Sequence, residues 1–403
     1  MPEKVLAAQR TDRRSFFADA SLSSFVAALI AVVVSYSGPM VIVLTAAQAG
    51  KLTPAQTTSW LWAISIGSGL TCLVLSLWTK VPVITAWSTP GAALLVTSMG
   101  SYSYASAIGA FLVSALAITL VGFSGVFGKL MALVPDALVS AMLAGILFSF
   151  GVEAFRALGH GPLVAAAVLV GYVLAKRFSA RYAVPVALLL GVLTAAVSGG
   201  LNFRGVALEF ASPLWTTPVF DVAAIIGVGV PLFAVTMASQ NAPGLAVLQA
   251  SGYRPADRPL VGGTGLASLA LAPFGCHAVN LAAITAAICT GPEAHPDPRR
   301  RYPAGVFCGL LYLAVGTFGG ALIGVFTGLP GELVAAIAGV ALLGAFVSGL
   351  SGAMSSPRDR EPAAVTFLVT ASGLSLFGIG SAFWGLVFGL LAHVVLSVRR
   401  KTP

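Results

Sequence analysis

Apolar stretches of roughly the length that a helix needs to cross a lipid bilayer, about 20 residues, follow one another along almost the whole chain. Short groups of charged residues, prolines and glycines separate them. Seven stretches lie in the first half, at 21–49, 54–78, 82–100, 103–128, 132–155, 162–176 and 183–200. Seven more lie in the second half, at 216–239, 259–273, 275–291, 303–327, 331–350, 363–373 and 374–397. The pattern predicts an all-α polytopic membrane protein of about 14 spans.

The positions of the basic residues support this count. If the N-terminus is cytoplasmic, all but three of the 22 Lys and Arg residues fall in cytoplasmic segments, and the exceptions are Lys51, Arg156 and Arg204. Lys and Arg concentrate on the cytoplasmic side of membrane proteins. We therefore expect an even number of spans, both termini in the cytoplasm, and a multi-pass location in the inner membrane of a bacterial cell.

Two similarities between the halves predict an internal repeat. Residues 37–44 parallel residues 241–248, with a proline at the third position of each, and residues 88–94 lie where residues 278–284 lie in the second half. Because seven is an odd number, a second set of seven spans starts from the opposite side of the membrane. The chain is therefore predicted to be a 7+7 inverted repeat.

Composition argues against several other classes of protein. Only 9% of the residues are charged and the mean hydropathy is +0.96, whereas about a quarter of the residues of a soluble domain are charged. The net charge of +9 is attributed to cytoplasmic loops rather than to nucleic-acid binding. No nucleotide-binding loop, zinc-protease motif or nucleophile elbow is present, so no enzyme activity, cofactor or metal site is predicted. Four cysteines without CxxC spacing are expected to be buried and unpaired: Cys72, Cys276, Cys289 and Cys308.

The third apolar stretch of the first half is predicted to be a broken helix. The β-branched stretch 83–87 runs into Ser88, Thr89, Pro90 and Gly91, where a helix is expected to begin at Pro90 or Gly91 with Ser88 and Thr89 as caps. A break at membrane depth survives only where it is buried in protein or lines a cavity.

The corresponding stretch of the second half is predicted to be broken as well. Residues 273–280 interrupt it, and a helix is expected to follow from Leu281 to Cys289. Paired interrupted spans are the best sequence indication of a transporter's binding site. Two helix N-termini meeting near the membrane midplane favour an anion, particularly a carboxylate. Aromatic side chains that could form a flat apolar wall for a ring are Tyr36, Trp87, Phe233 and Phe274.

Three polar residues in the second half are candidates for substrate or proton binding. His277 lies in the second broken segment and is the only histidine away from a loop or a span end. Ionisable groups inside the membrane are candidates by default, and the alternative is a structural histidine bonded to a nearby carbonyl. Gln240 and Asn241 precede the repeated proline, where they could contact substrate or form hydrogen bonds between helices.

Several motifs resemble the benzoate membrane transport (BenE) family. They are the segments 46–50, 54–62, 85–94 (Thr-Ala-Trp-Ser-Thr-Pro-Gly-Ala-Ala-Leu), 238–248 and 274–283. The resemblance spans nearly the whole chain and implies uptake of benzoate by proton symport. It also implies a fold similar to that of the nucleobase transporters, with a 7+7 inverted repeat and alternating access of the elevator type.

The resemblance also implies a division into domains. Spans 1–4 and 8–11, at 21–130 and 216–327, would form a core domain that holds substrate. Spans 5–7 and 12–14, at 131–200 and 331–397, would form a gate domain through which a homodimer could assemble. Residues 1–20 and 398–403 would be cytoplasmic. The expected partners are an aromatic carboxylate, protons and the lipid bilayer, without nucleic acid.

Carried over to this chain, the resemblance implies a substrate site with one departure from the related fold. Nucleobase transporters use buried glutamates in spans 8 and 10, where this chain has polar uncharged residues and a histidine. The coupled proton could therefore bind His277 or travel on the substrate. The implied substrate-binding residues are Tyr36, Ser37, Trp87, Ser88, Thr89, Pro90, Gly91, Gln240, Asn241, Phe274, Cys276, His277 and Asn280.

Two alternatives to benzoate symport stay open at this point. One is a transporter of another small planar solute, such as a nucleobase or a different aromatic acid. The other is a passive anion facilitator or channel on the same scaffold, which would not accumulate its substrate against a gradient.

Overall fold

Helices make up most of the computed structural model, which describes residues 16–127, 135–178, 182–202, 210–292, 294–318, 328–374, 376 and 381–398 of the 403-residue chain. The elements of the first half are α1 (Phe16–Asp19), α2 (Leu22–Ser37), α3 (Pro39–Ala49), α4 (Pro54–Thr79), β1 (Thr85–Trp87), α5 (Thr89–Ser98), α6 (Tyr104–Ser124), α7 (Asp136–Arg156), α8 (Pro162–Phe178) and α9 (Ala183–Val197). Those of the second half are α10 (Val222–Gln249), α11 (Asp257–Leu271), β2 (Val279–Leu281), α12 (Ile284–Thr290), α13 (Tyr302–Thr317), α14 (Gly331–Ala353), α15 (Arg360–Ala371) and α16 (Ser381–Val398).

A helix lies in each of the predicted apolar ranges. Among the described residues, six helical segments are by themselves long and apolar enough to cross a membrane: Leu22–Ala49, Pro54–Thr79, Tyr104–Ser124, Asp136–Gly159, Val222–Gln249 and Gly331–Ala353. The other helices are shorter or interrupted, so the number of 14 crossings stays a prediction.

Local sequence explains where the helices begin. At the start of α4, the Thr53 hydroxyl accepts the N–H of Gln56 at 3.3 Å, and the Gln56 side chain accepts the N–H of Thr53 at 2.9 Å. Pro54 follows as the first helical residue, where its missing N–H costs nothing. Ser21 and Ser24 form the same reciprocal cap before α2. These caps place the helix starts within one residue of the predicted span boundaries.

The predicted span at 216–239 is wrong at both ends. Residues 210–221 are extended, and α10 begins only at Val222, where the Asp221 carboxylate accepts the N–H of Ala223 at 2.9 Å. The segment is apolar without being helical, and most of its side chains are exposed rather than buried against other helices. Its N–H groups at Leu214 and Thr216 donate to Ser59 Oγ and to the Pro273 carbonyl, each at 2.8 Å.

Two π-turns let α10 continue past its prolines to Gln249. They lie at Ile225–Gly229 and Met237–Asn241, shortly before Pro231 and Pro243. A proline in a helix lacks an N–H and its ring clashes with the carbonyl four residues earlier. A widened turn relieves that clash, so the helix is not ended at 239 as predicted.

At the centre of the fold, β1 and β2 pair as a two-stranded antiparallel ladder. The register places Thr85 opposite Leu281, Ala86 opposite Asn280, and Trp87 opposite Val279. The ladder continues beyond the strands, because the N–H of Ser88 donates to the carbonyl of Ala278 at 3.0 Å. The backbone groups that a broken helix leaves free are therefore satisfied by the other broken segment.

A serine side chain forms hydrogen bonds with the backbone near each end of this ladder. Ser76 of α4 accepts the N–H of Val83 at 3.1 Å and lies 3.0 Å from the carbonyl oxygen of the same residue. Ser268 of α11 accepts the N–H of Val279 at 2.7 Å and lies 3.3 Å from its carbonyl oxygen. Both serines are fully buried, so each strand is anchored to the helix that precedes it.

We expect Ser268→Ala to lower the free energy of unfolding by about 1–3 kcal/mol, because the buried N–H of Val279 loses its acceptor. Thermal unfolding of the purified protein in detergent measures this change. Ser149→Ala, at an exposed position of α7, is the control and should leave the midpoint unchanged. Equal midpoints for Ser268→Ala and the wild type would show that Ser268 does not anchor the strand.

Candidate functional site

The N-terminus of α5 follows β1 of the central ladder directly in the chain. Ser88 is the N-cap as predicted, and its hydroxyl accepts the N–H of Gly91 at 3.1 Å. Thr89 is already the first helical residue, so the helix starts one residue before Pro90 and Thr89 is not a cap. Thr236 of α10 donates a further hydrogen bond to Ser88 Oγ at 3.1 Å. The Ser88 hydroxyl therefore joins α5 to α10.

The second broken segment differs from its prediction. Leu281 belongs to β2 and not to a helix, because its N–H donates to the Asn241 side chain at 2.9 Å and its strand pairs with β1. The helix α12 begins only at Ile284, and Ala283 before it supplies no side-chain cap. The partner that keeps Leu281 extended lies forty residues earlier in the chain.

His277 connects α4 to the first broken segment. Trp60 of α4 donates its indole N–H to His277 Nδ1 at 3.0 Å, and His277 Nε2 lies 3.0 Å from the carbonyl oxygen of Ser88. The indole N–H can only donate, so Nδ1 accepts and the ring proton is on Nε2, which donates to Ser88. His277 and Trp60 are fully buried. This geometry favours the structural role among the two predicted for His277.

Gly275 allows the second broken segment to lie against Trp60. It adopts a left-handed backbone with a φ of 108°, and a Cβ at this position would lie 2.9 Å from Trp60 Cα. The Ser59 hydroxyl donates to the carbonyl of Phe274 at 2.8 Å. The segment is therefore fixed to α4 on both sides of Gly275, which orients His277 toward Trp60.

Three aromatic rings form one wall of the site. Tyr36 and Tyr312 contact the Trp87 ring at centroid distances of 5.2 and 5.9 Å. The hydroxyl of Tyr36 donates to Ser65 at 2.6 Å, and that of Tyr312 shares a hydrogen bond with Ser35 at 2.6 Å. Among the described residues, the buried Trp87 Nε1 has no hydrogen-bond partner. The wall therefore carries one unused donor.

Tyr312 is the member of this wall that sequence reasoning missed. It lies in the middle of α13, in an apolar helix where a tyrosine is as easily a packing residue as a site residue. The signal that could have identified Tyr312 is its hydroxyl group, because a buried tyrosine hydroxyl needs a hydrogen-bond partner. Its partner, Ser35, lies next to the predicted site residue Tyr36 in the sequence.

The polar side chains of α10 have different roles. Asn241 is fully buried, and both ends of its amide are used, toward the Leu281 N–H and toward Met237 Sδ at 3.3 Å. Gln240 is only half-buried, and its Oε1 accepts a long hydrogen bond of 3.4 Å from Asn280 Nδ2. Among the described residues, Asn280 Oδ1 is buried without a partner. Gln240 and Asn280 thus keep free hydrogen-bonding capacity.

Other predicted residues are placed apart from the aromatic wall. Phe274 contacts Trp62 and Trp215 at centroid distances of 5.7 and 5.5 Å, next to the extended segment 210–221. Cys276 is fully buried. Phe233 packs in the apolar cluster between α10 and α11. The side chain of Ser37 lies outside the described part of the structure.

The remaining predicted residues, Pro90 and Gly91, lie in the first turn of α5, and Gly91 lies against Leu232 of α10. Both are buried, and a Cβ at Gly91 would lie 2.5 Å from Leu232 Cδ1. A larger residue at this position would require the Leu232 side chain to move. Among the described residues, no group of three His, Cys, Asp or Glu side chains is placed to hold a metal ion. The site is therefore a polar, uncharged arrangement of amides, hydroxyls and aromatic rings.

The chain is similar to known proteins over nearly its whole length. The model of one protein family, described as "Benzoate membrane transport protein", matches residues 18–395. The chain is 43% identical to "Inner membrane protein YdcO" of Escherichia coli (strain K12), over 93% of this chain and 96% of that protein. It is 41% identical to "Benzoate membrane transport protein" of Acinetobacter baylyi, over 94% of this chain and 96% of that protein.

Solved structures share the fold. The structure of SLC26A9 matches with a TM-score of 0.64 and 15% identity, over 94% of this chain and 66% of that chain. The transmembrane domain of the cyanobacterial bicarbonate transporter BicA matches with a TM-score of 0.56 and 16% identity, over 94% of this chain and 97% of that chain. At these identities the likeness shows a helical membrane-transporter fold, and the 7+7 repeat stays a prediction.

We expect Gly275→Ala to destabilise the protein more than Gly252→Ala. Both glycines have a positive φ, but no atom lies within 4 Å of a Cβ added at Gly252, whereas one at Gly275 meets Trp60. A left-handed alanine costs about 1–2 kcal/mol, and the forced contact at Gly275 adds about 1–3 kcal/mol. Thermal unfolding of the two variants in detergent compares these costs. Equal destabilisation would mean that Trp60 does not constrain this segment.

Proposed function

The chain belongs to the benzoate membrane transport protein family, and from this premise we propose that it is a secondary transporter that imports benzoate, or a similar aromatic carboxylate, by proton symport. The observation that carries the proposal is the meeting of two broken segments, β1–α5 and β2–α12, beside an aromatic wall. Paired breaks of this kind are where transporters hold their substrates.

The chemistry of the site suits a small aromatic acid. Tyr36, Trp87 and Tyr312 offer apolar faces and edges to a flat ring. Trp87 Nε1 on this wall is an unused donor, and Asn280, which pairs with Ala86 next to Trp87, keeps free hydrogen-bonding capacity together with Gln240. Buried polar groups without partners cost free energy, so groups of this kind support the presence of a polar ligand.

The packing of the helices supports a core domain and a gate domain as predicted. Within the proposed core, α4 packs along α13 and α6 along α11. Within the proposed gate, α7 packs along α14, and α8 along α9. Contacts between the two sets are less extensive, which is what an elevator-type movement of one set against the other requires. Assembly of a homodimer through the gate is part of the same proposal.

The proposed location is the inner membrane of a bacterial cell, with both termini in the cytoplasm. The distribution of Lys and Arg supports this orientation. The name of the Escherichia coli relative, an inner membrane protein, supports the same membrane. An antiparallel β1–β2 ladder is also what two inverted halves of a 7+7 repeat would form where their third spans meet.

The test is uptake of radiolabelled benzoate into proteoliposomes, with and without an inward proton gradient. Saturable accumulation above that of protein-free vesicles, dependent on the gradient, is the expected result. Competition by excess uracil or xanthine would instead identify a nucleobase carrier. Equilibration without accumulation would identify a passive facilitator, and absence of benzoate movement would overturn the proposed substrate.

Substitutions at two neighbouring residues of α10 should have separate effects, one on substrate binding and the other on stability. We expect Gln240→Ala to raise the KM for benzoate about tenfold, which corresponds to the loss of one hydrogen bond of about 1.4 kcal/mol, with little change in thermal stability. Asn241→Ala should instead lower the thermal midpoint, because the buried N–H of Leu281 loses its acceptor. Uptake kinetics and thermal unfolding of both variants measure this. A lower thermal midpoint for Gln240→Ala together with a raised KM for Asn241→Ala would contradict the placement of Gln240 in the site.

A further inference from the structure

The proposed core domain has few ionisable groups at membrane depth. The sequences of α2–α6, α10, α12 and α13 contain no Asp, Glu, Lys, Arg or His, and α11 has only Asp257 and Arg258, in its first turn. His277, between α11 and β2, is the one such group within the broken segments. Within the broken segments, His277 is therefore the candidate side chain for carrying the coupled proton.

The hydrogen bonds of His277 oppose that role. Trp60 Nε1 is a donor without an acceptor function, and it occupies His277 Nδ1 at 3.0 Å. A proton on Nδ1 would place two N–H groups against each other and remove the partner of a buried indole. His277 Nε2 already carries the hydrogen that it donates to the Ser88 carbonyl. Neither ring nitrogen can therefore take a further proton while Trp60 and Ser88 keep their positions.

The surroundings of His277 offer no charge to stabilise an imidazolium. The rings of Trp60 and Phe111 lie at centroid distances of 5.7 and 6.3 Å. Tyr104 of α6, which contacts Trp60, and the adjacent Cys276 have titratable side chains that are uncharged at neutral pH, and the sequences of α4 and α6 contain no Asp, Glu, Lys or Arg. A buried cation without a partner is costly.

We propose that His277 is a neutral positioning residue that holds the two broken segments together, and that the coupled proton crosses the membrane on the carboxyl group of the substrate. The inference rests on the proposed function. In this scheme one proton binds a carboxylate oxygen, the resulting carboxylic acid enters the site, and the same O–H bond breaks on the other side. One proton and one carboxylate cross together without net charge, and no protein group gains or loses a proton.

The unused groups of the site suit an un-ionised acid better than an anion. A carboxylic acid needs a donor for its C=O and an acceptor for its O–H. The amides of Gln240 and Asn280 provide both kinds of group, and Asn280 Oδ1 is the buried acceptor without a partner. A carboxylate would leave such an acceptor facing a negative charge, and no Lys or Arg lies in the broken segments to offset it.

Two ligands that resemble the two protonation states test the inference on the wild-type protein. Benzamide has the acceptor and donor of benzoic acid without a titratable carboxyl, and benzenesulfonate stays anionic across the pH range. We expect benzamide to displace radiolabelled benzoate and benzenesulfonate not to do so. The apparent Kd of benzoate should rise about tenfold per pH unit between pH 6 and 8, because a carboxyl with a pKa of about 4 is mostly ionised there. The Kd of benzamide should stay constant.

The outcomes separate this inference from the proposed function. Displacement of benzoate by benzenesulfonate but not by benzamide would overturn the un-ionised form and leave benzoate transport standing. Absence of benzoate binding at every pH would overturn the proposed function, and the inference with it.

The His277→Gln variant tests the positioning role, because glutamine can also accept from Trp60 and donate to Ser88. We expect slower uptake with the same ratio of protons to benzoate, measured as internal pH change per benzoate taken up. His160→Gln, at an exposed position beyond α7, is the matched control and should keep the wild-type rate and ratio. Loss of the pH dependence of benzoate binding in His277→Gln, but not in His160→Gln, would place the proton on His277 and overturn the inference. If His277→Gln does not fold, the ligand competition on the wild type still decides.

Discussion

Every backbone N–H and C=O at membrane depth must find its partner within the protein, and this constraint organises the whole fold. Lipid offers no hydrogen bonds, so a break in a spanning helix needs a second surface that matches it. Here the two breaks supply that surface to each other, with Ser88 N–H on the Ala278 carbonyl and Ala282 N–H on the Ile84 carbonyl. Since the partners lie almost two hundred residues apart, the halves of the chain must come together before either break is satisfied.

The same constraint determines what the polar side chains near the breaks can do. Ser268 and Asn241 each bond a strand N–H, Ser76 bonds the N–H of Val83 just before β1, and His277 bonds the Ser88 carbonyl. Side chains committed in this way are unavailable to a ligand, even though their composition and position would suggest a binding role. The groups that keep free capacity are fewer, and they are the ones on which recognition of a substrate can depend. Burial alone therefore does not distinguish a structural side chain from a ligand-binding one. The distinction depends on whether the donors and acceptors of that side chain are already used within the protein.

Those features that depend on short stretches of sequence were predictable. The cap at Ser88 and the break before it follow from β-branched residues, a hydroxyl and a proline in succession, and the structure confirms both. Features that depend on a distant partner were not. Leu281 is extended because of Asn241, residues 210–221 are extended because of Ser59 and Pro273, and the orientation of His277 is fixed by Trp60. No local pattern contains this information, and an apolar extended segment has the same composition as a helix.

In the proposed elevator-type movement, a substrate site without fixed charge would have an energetic advantage. Each elementary charge carried across the membrane potential costs or gains about 2.3 kcal/mol per 100 mV, and a charge at the bilayer centre adds a desolvation cost. The broken segments here have polar groups but no carboxylate, ammonium or guanidinium, and the His277 ring is held by a donor on one side and an acceptor on the other. An empty site and a site filled with an un-ionised acid would then both be neutral. The proton gradient would act through the protonation of the substrate in water on each side, and the membrane potential would have no charge in the site on which to act.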